Sequence, residues 1–238
     1  MRTAYTVFRN LYNVRKMTMK LVLASGSQRR RELLTMCGYD YEIIVSNADE
    51  TIDENDPESF VRALSFRKAK EVFDRLFAAG RRDFAVIGSD TVVAFQKEGG
   101  TKPVIIGKPK DAKDAVRILS MLSGKTHRVF TGVSVIADIP DENAAAQCSI
   151  REKAEIQTEC SITEVMFETL SPDEITDYVN SGDPLDKAGS YGIQGPFGMF
   201  VREIRGNYFT VIGMPIPVLY KMLKKIGILP HGFYERIE

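Results

Sequence analysis

The sequence predicts an α/β protein, with a mixed β-sheet flanked by helices on both sides and no larger repeat or flexible linker. Early in the chain, short apolar runs alternate with segments of helical periodicity. Later, two long strand-like segments, Arg128–Ile139 and about Ile150–Thr169, follow one another across a single loop, as antiparallel neighbours do. The length of 238 residues, 44% hydrophobic and 27% charged, allows a substantial core in one large domain or two small ones.

The first informative stretch is Leu21–Leu34, LVLASGSQRRRELL. Leu21–Ala24 reads as a short buried strand. It breaks at Ser25-Gly26-Ser27 and enters a helix whose inward face carries Leu33, Leu34 and Cys37. Ser27 is placed to cap that helix with its hydroxyl. Arg29-Arg30-Arg31 then put three cations in the first turn, where the helix dipole disfavours each by roughly 0.3–1 kcal/mol. Hydroxyls, free amides and guanidiniums converging on one helix start make sense around an anion, so this stretch is read as a phosphate cradle.

Tyr41–Val45 is a second strand, followed by the acidic loop Asn47–Thr51. Pro57 opens a long helix with apolar positions at Phe60, Leu64, Val72, Phe73, Leu76 and Phe77, and Gly80 stops it. Phe84–Phe95 is the most hydrophobic strand candidate, and Asp90 sits in its middle. A lone carboxylate there is costly unless it is paired, liganded or facing a cleft. Gln96–Lys102 is a polar hairpin loop returning through Val104–Ile106 to Gly107-Lys108-Pro109. A helix over about Asp111–Leu122 ends at Ser123-Gly124. Beyond the two long strands and the Pro140–Ala146 loop between them, Ser171-Pro172-Asp173-Glu174 is a capping box that starts a helix to Asn180. Residues 181–198 read as loop, with Gly189, Gly192, Gly195 and Gly198 allowing close backbone approach. Met199–Ile204 and Tyr208–Ile212 read as a closing hairpin, and Pro215 and Pro217 start a last helix through about Lys225.

Composition narrows the function classes. Lys+Arg 32 balances Asp+Glu 32, which argues against bulk electrostatic binding to nucleic acid or a membrane. No apolar run approaches the roughly 20 residues that span a bilayer. Cys37, Cys148 and Cys160 have no metal-type spacing and suit free thiols in a reducing compartment. The two histidines are too few for a His-based metal site, and His127 is read as structural. Residues 1–20 carry five Lys/Arg and no acid, but no Ser and no cleavage signal. They are read as a basic extension (residues 1–19) ahead of one domain over residues 20–238. The expected compartment is the cytoplasm, with organelle targeting by the basic segment as the alternative.

Five polar clusters stand out: Ser25–Arg31, Asp49-Glu50, Ser89-Asp90-Thr91, Lys108, and Lys187 with Gln194. Singly, each reads as solvated surface, except Asp90. Together they describe a site for phosphate chemistry. Carboxylates suit Mg²⁺ joined to substrate phosphates, cations neutralise developing charge, and a side-chain amide reads a base edge. A carboxylate near the metal can orient or deprotonate the attacking water. There is no GxxxxGK[ST], and no GxGxxG follows a strand.

With these residues in view, the sequence resembles the Maf family of nucleoside triphosphate pyrophosphatases. The matching pieces, in family order, are Leu23–Leu34, Asp49-Glu50, Gly88–Val93, Gly107-Lys108-Pro109, Leu122-Ser123-Gly124 with His127, Asp186–Gly189, Tyr191–Gly195 and Gly213-Met214-Pro215. The resemblance covers about Lys20 to Ile226. Gln28 stands where the family usually has proline and Thr210 where it usually has asparagine.

The resemblance implies a Maf/ITPase-like fold: an elongated mixed β-sheet flanked by helices, two lobes around a deep cleft, and a homodimer. It implies hydrolysis of a nucleoside triphosphate to monophosphate and pyrophosphate with a divalent metal, Mg²⁺ or Mn²⁺, in nucleotide-pool housecleaning. Asp90 would accept the water proton, and Glu50 and Asp90 would hold the metal. Ser25, Ser27, Arg29, Arg30, Lys108 and Lys187 would line the triphosphate. Thr91 and Gln194 resemble the branch acting on dTTP, UTP and modified pyrimidine nucleotides. The alternatives are the same chemistry on 7-methyl-GTP or a broad range, and a non-catalytic nucleotide- or nucleic-acid-binding regulator of cell division.

Overall fold

Strand β3, Phe84–Phe95, organises the molecule described by the computed structural model, which covers residues 19–96, 99–100, 102–139 and 154–231. The basic extension up to residue 18, the Pro140–Ala146 loop and the start of the strand expected from Ile150 lie outside the described residues. β3 is buried along almost its whole length. A strand covered on both faces needs a continuous apolar run, and FAVIGSDTVVAF supplies one on either side of its polar centre.

The first half of β3 pairs in parallel with β1, Lys20–Leu23, which pairs in parallel with β2, Tyr41–Ile43. Helices α1, Gln28–Met36, and α2, Pro57–Ala78, make the two crossovers that parallel pairing requires. From β3 onward the pairing is antiparallel: β4 (Val104–Ile106) on its end, and β5 (Thr126–Asp138) along its length. Then come β6 (Ala154–Phe167) and β7 (Val201–Arg205), which give the order β2-β1-β3-β5-β6-β7. The mixed sheet expected from the alternation is the one observed.

α2 crosses β3 and β5 at close range because two glycines let it. A Cβ on Gly88 would run into the Ser65 carbonyl oxygen, and one on Gly132 into that of Val61. The hydroxyls of Ser65 and Ser134 meet at 3.0 Å beneath the helix, so the buried polar pair is satisfied. The helix starts at Asp56, whose side chain accepts from the Ser59 amide, with Pro57 at its first position.

Two groups of packed residues give the molecule its lobes. α1 and the last helix, α6 (Ile216–Lys225), cover one face of β1, β3 and β5 through Leu33, Leu34, Leu219 and Leu223, and α2 covers the other through Val72 and Phe73. The second lobe joins α3 (Ala112–Leu122) and α4 (Pro172–Asn180) to the far ends of β3, β5 and β6. α3 buries Ala115, Ile118, Leu119 and Leu122, a single stripe at helical spacing. α4 carries the expected capping box between Ser171 and Glu174.

Three local expectations are corrected. Tyr208–Ile212 is a short helix, α5, not a strand: Asn207 caps it by accepting from the amides of Phe209 and Thr210, and Gly213 ends it at φ +109°. β7 therefore pairs with β6 and not within a closing hairpin, and Pro196–Phe200 before it is a 3₁₀ helix. The 181–198 loop folds into 3₁₀ turns, Asp183–Asp186 and Ala188–Ser190, before that segment. Ser27 stands at the N-cap of α1 without a side-chain capping bond; the Ser27 amide donates to Ser25 Oγ at 3.2 Å instead.

Candidate active site

A cleft of about 800 Å³ runs between the lobes. Its walls bring together Ser25, Ser27, Arg29, Arg30, Glu50, Asp90, Thr91, Lys108, Lys187 and Gln194, residues scattered over most of the chain. Each of them was singled out in the sequence. Arg31, the third cation of the opening triplet, does not line it: its carbonyl accepts from the Tyr41 hydroxyl on the other side of α1.

The cradle begins where β1 delivers the chain to Ser25. Ser25 Oγ accepts from the Ser27 amide and from Arg30 Nη1 at 3.1 Å. Arg30 also donates through Nε to the Gly213 carbonyl at 2.8 Å and through Nη2 to Thr91 Oγ1 at 3.3 Å. Burial draws this guanidinium below its ordinary value, Asp90 pushes it back up, and it remains a cation. Three of its five hydrogens are held by the protein, and two remain for a ligand.

Thr91 is bound into the same frame. The Thr131 hydroxyl donates to the Thr210 carbonyl at 2.7 Å, so at 3.0 Å from Thr91 it can only accept. The Thr91 proton therefore points to Thr131, and its oxygen accepts from Arg30. Thr91 orients the guanidinium and has no proton left for a ligand. Thr210, the departure from the family pattern, supplies the carbonyl that fixes this direction, while its own hydroxyl meets Ser161 Oγ at 2.7 Å.

Opposite the cradle, Asp90 and Glu50 share one cation. Lys68 Nζ lies 2.8 Å from Asp90 Oδ1 and 2.9 Å from Glu50 Oε1. The Lys68 and Asp90 side chains are each only 12% exposed, so the pair answers the cost of a carboxylate in a buried strand. Glu50 arrives on a loop strapped to α2. Arg67 donates to the carbonyls of Asp49 and Thr51, the Asn47 amide donates to Glu71, and Arg75 donates to the Val45 carbonyl. Lys68 was missed in the sequence, although a signal was there. It lies on the stripe Val61, Leu64, Ser65, Ala69 and Val72, the buried side of α2, where an unpaired ammonium does not belong.

The remaining cations come from the second lobe. The Gly189 amide donates to the Gly107 carbonyl at 3.0 Å, which holds the glycine-rich segment beside the turn that carries Lys108. Lys187 is ringed by Asp183 and Asp186, and Asp186 reaches across to Arg29. His127 stands outside the cleft, as the structural reading expects. Its Nε2 meets the Tyr191 hydroxyl at 3.0 Å, its ring packs edge-on against Phe167, and burial pushes its pKa down to about 3.

Glu50 and Asp90 fit a hard divalent cation by donor chemistry. Both are carboxylates, and both already converge on one cationic nitrogen. Among the described residues no group of three or more His, Cys, Asp or Glu is placed to hold a metal alone. A bound ion would draw further oxygens from substrate or water.

A family model described as "Maf-like protein" matches residues 20–226. The chain belongs to this family. A dTTP/UTP pyrophosphatase of Agathobacter rectalis is 40% identical over 217 residues, covering 88% of this chain and 98% of that protein. One of Bacillus thuringiensis subsp. konkukian is 42% identical over 210 residues, with 88% and 96% covered. Among solved structures, the Staphylococcus aureus Ham1 protein is 15% identical, covers 87% of this chain and 98% of its own, and superposes with a TM-score of 0.45. Membership of the Maf-like family accounts for the ordered motifs now seen on one cleft. Among the described residues no helix is long and apolar enough to cross a membrane.

Proposed function

We propose that this chain hydrolyses nucleoside triphosphates of the dTTP and UTP class to the monophosphate and pyrophosphate, clearing modified pyrimidine nucleotides from the pool. The observation that carries the reading is the Glu50–Lys68–Asp90 array facing the Ser25–Arg30 cradle across one cleft. The names of the curated relatives support the substrate class.

In this mechanism the triphosphate tail lies along Ser25, Ser27, Arg29, Arg30, Lys108 and Lys187. Water attacks the α-phosphorus, its oxygen bonds to phosphorus as the α–β anhydride bond breaks, and pyrophosphate leaves. Asp90 accepts the water proton, and Lys68 holds the Asp90 carboxylate in place. The cations neutralise charge gathering on the leaving group. A divalent ion, Mg²⁺ or Mn²⁺, held by Glu50 and Asp90 supplies further neutralisation when bound. Gln194 presents paired donor and acceptor groups to the pyrimidine edge. The active form is a homodimer in the cytoplasm.

The deciding experiment measures pyrophosphate release from dTTP, UTP, ATP, GTP and 7-methyl-GTP, with and without Mg²⁺ or Mn²⁺. Release from dTTP and UTP ahead of the purines, lost on chelation and in Asp90→Asn, is expected. Full activity of Asp90→Asn would sink the assignment.

A further inference from the structure

Lys187 reaches the cleft with every hydrogen engaged. An ammonium has three, and three acceptors surround this one: the Asp183 carbonyl at 2.5 Å, Asp183 Oδ1 at 3.0 Å and Asp186 Oδ1 at 2.7 Å. A substrate phosphate can bond Lys187 only by replacing one of them.

The two carboxylates are not equally replaceable. Asp183 is braced from behind. Its Oδ2 accepts from the Tyr178 hydroxyl at 2.5 Å, and that hydroxyl accepts from the Gly192 amide while its ring packs on Phe197 in the second core. Asp186 has no such brace. Its side chain is 66% exposed, and its other oxygen accepts from Arg29 Nη1 at 3.3 Å. Asp186 is thus one anion bridging two cations from opposite walls, Arg29 from α1 and Lys187 from the glycine-rich segment. Although burial acts against it, Lys187 and Arg29 hold the Asp186 carboxyl below its ordinary range, so at neutral pH it is an anion.

We propose that Asp186 is a displaceable counter-ion: it occupies the phosphate position between Arg29 and Lys187 until a polyphosphate replaces it, and it competes with pyrophosphate for that position after cleavage. This rests on the reading of the cleft as a nucleoside triphosphate site. A tethered carboxylate competes at a high effective concentration, so an anion with a single contact loses to it. A polyphosphate that also engages Arg30 and Lys108 wins. The same residue then selects polyphosphates over monophosphates and limits inhibition by product.

The test is calorimetric titration of the full chain with inorganic pyrophosphate, nucleotide absent. Asp186→Asn is expected to bind pyrophosphate about three- to tenfold more tightly, the range set by two partly exposed ion pairs. KM for the triphosphate should fall by a similar factor. Asp186→Ser should act in the same direction, which separates the lost charge from the new amide. Asp183→Asn should do the opposite, because it loosens the brace of Lys187. Unchanged or weaker pyrophosphate binding in both Asp186 variants overturns the proposal. A wild-type chain that binds pyrophosphate yet releases none from any nucleotide overturns the reading of the reaction instead, and leaves the counter-ion test standing.

Discussion

Lys68 Nζ stands 2.8 Å from Asp90 Oδ1, with only an eighth of either side chain exposed, and Glu50 closes on the same nitrogen from the loop above. A strand carboxylate and a helix ammonium, each out of place in its own element, are compensated by one another. Removing one partner leaves the other buried without its counter-charge, at a cost to folding.

Lys68→Met is expected to lower pyrophosphate release at least a hundredfold, the scale of losing a fixed electrostatic group at a reacting centre. It should also destabilise the fold by on the order of 3 kcal/mol, because the buried Asp90 side chain loses the ion pair that compensates it. Adding Asp90→Asn to Lys68→Met should recover most of that stability and none of the activity. Urea unfolding of the single and double variants, beside turnover, checks both statements.

Arg67→Ala should separate positioning from stability. Arg67, half-buried on α2, holds the carbonyls on either side of Glu50 at 2.8 Å each. Loss of such contacts costs about 1 kcal/mol or less. The freed loop misplaces Glu50, and turnover is expected to fall about tenfold. A thermal midpoint near that of the wild type with reduced kcat is the expected result; an unchanged kcat would show that the strap does not position Glu50.

His127 sets a pH limit on stability. Its folded pKa of about 3 lies below its ordinary 6.5, because charging it in the core is unfavourable. Below pH 6.5 the unfolded chain therefore binds a proton that the folded chain refuses. The stability it contributes is fully present above pH 6.5 and is lost as pH falls from there toward 3, with a slope approaching about 1.4 kcal/mol per pH unit. His127→Gln should lower stability at pH 7 and flatten the decline between pH 6 and pH 4. Denaturant midpoints across that range would show it.

Gly132→Ala tests the close approach that puts α2 over the sheet. The new methyl meets the Val61 backbone, which cannot move as a side-chain tip can. A loss of about 3 kcal/mol is expected, together with reduced turnover as Lys68 is lifted from Asp90. An alanine variant as stable as the wild type would mean the helix yields at little cost.

The elements read correctly were those with strong local punctuation. Pro172–Asn180 has both halves of a capping box, α2 has Asp56 and Pro57 at its start, and β3 is an unbroken apolar run around one polar centre. Tyr208–Ile212 misled because its bulky residues favour strands, and five residues are too few for helical periodicity to show. Its conformation is settled by Asn207 at one end and Gly213 at the other. Ser27 misled differently: the residue type suits a cap, but the hydroxyl that meets its neighbourhood's free amide belongs to Ser25.

The mixed α/β class, the basic triplet at the start of α1, the single carboxylate inside the apolar run of β3 and the resemblance to the Maf family are all legible in the sequence. All of these are recorded in short-range pattern and in motif order. Which charges meet follows only from the packing of distant elements. Lys68 and Asp90 are 22 positions apart, and Arg29 and Asp186 are 157 apart. The first meeting depends on the two glycines that let α2 lie close to the sheet, and the second on the glycine-rich segment folding back toward the start of α1. A charged side chain looks the same in sequence whether water or a carboxylate is its neighbour, and only the packing of distant elements distinguishes the two.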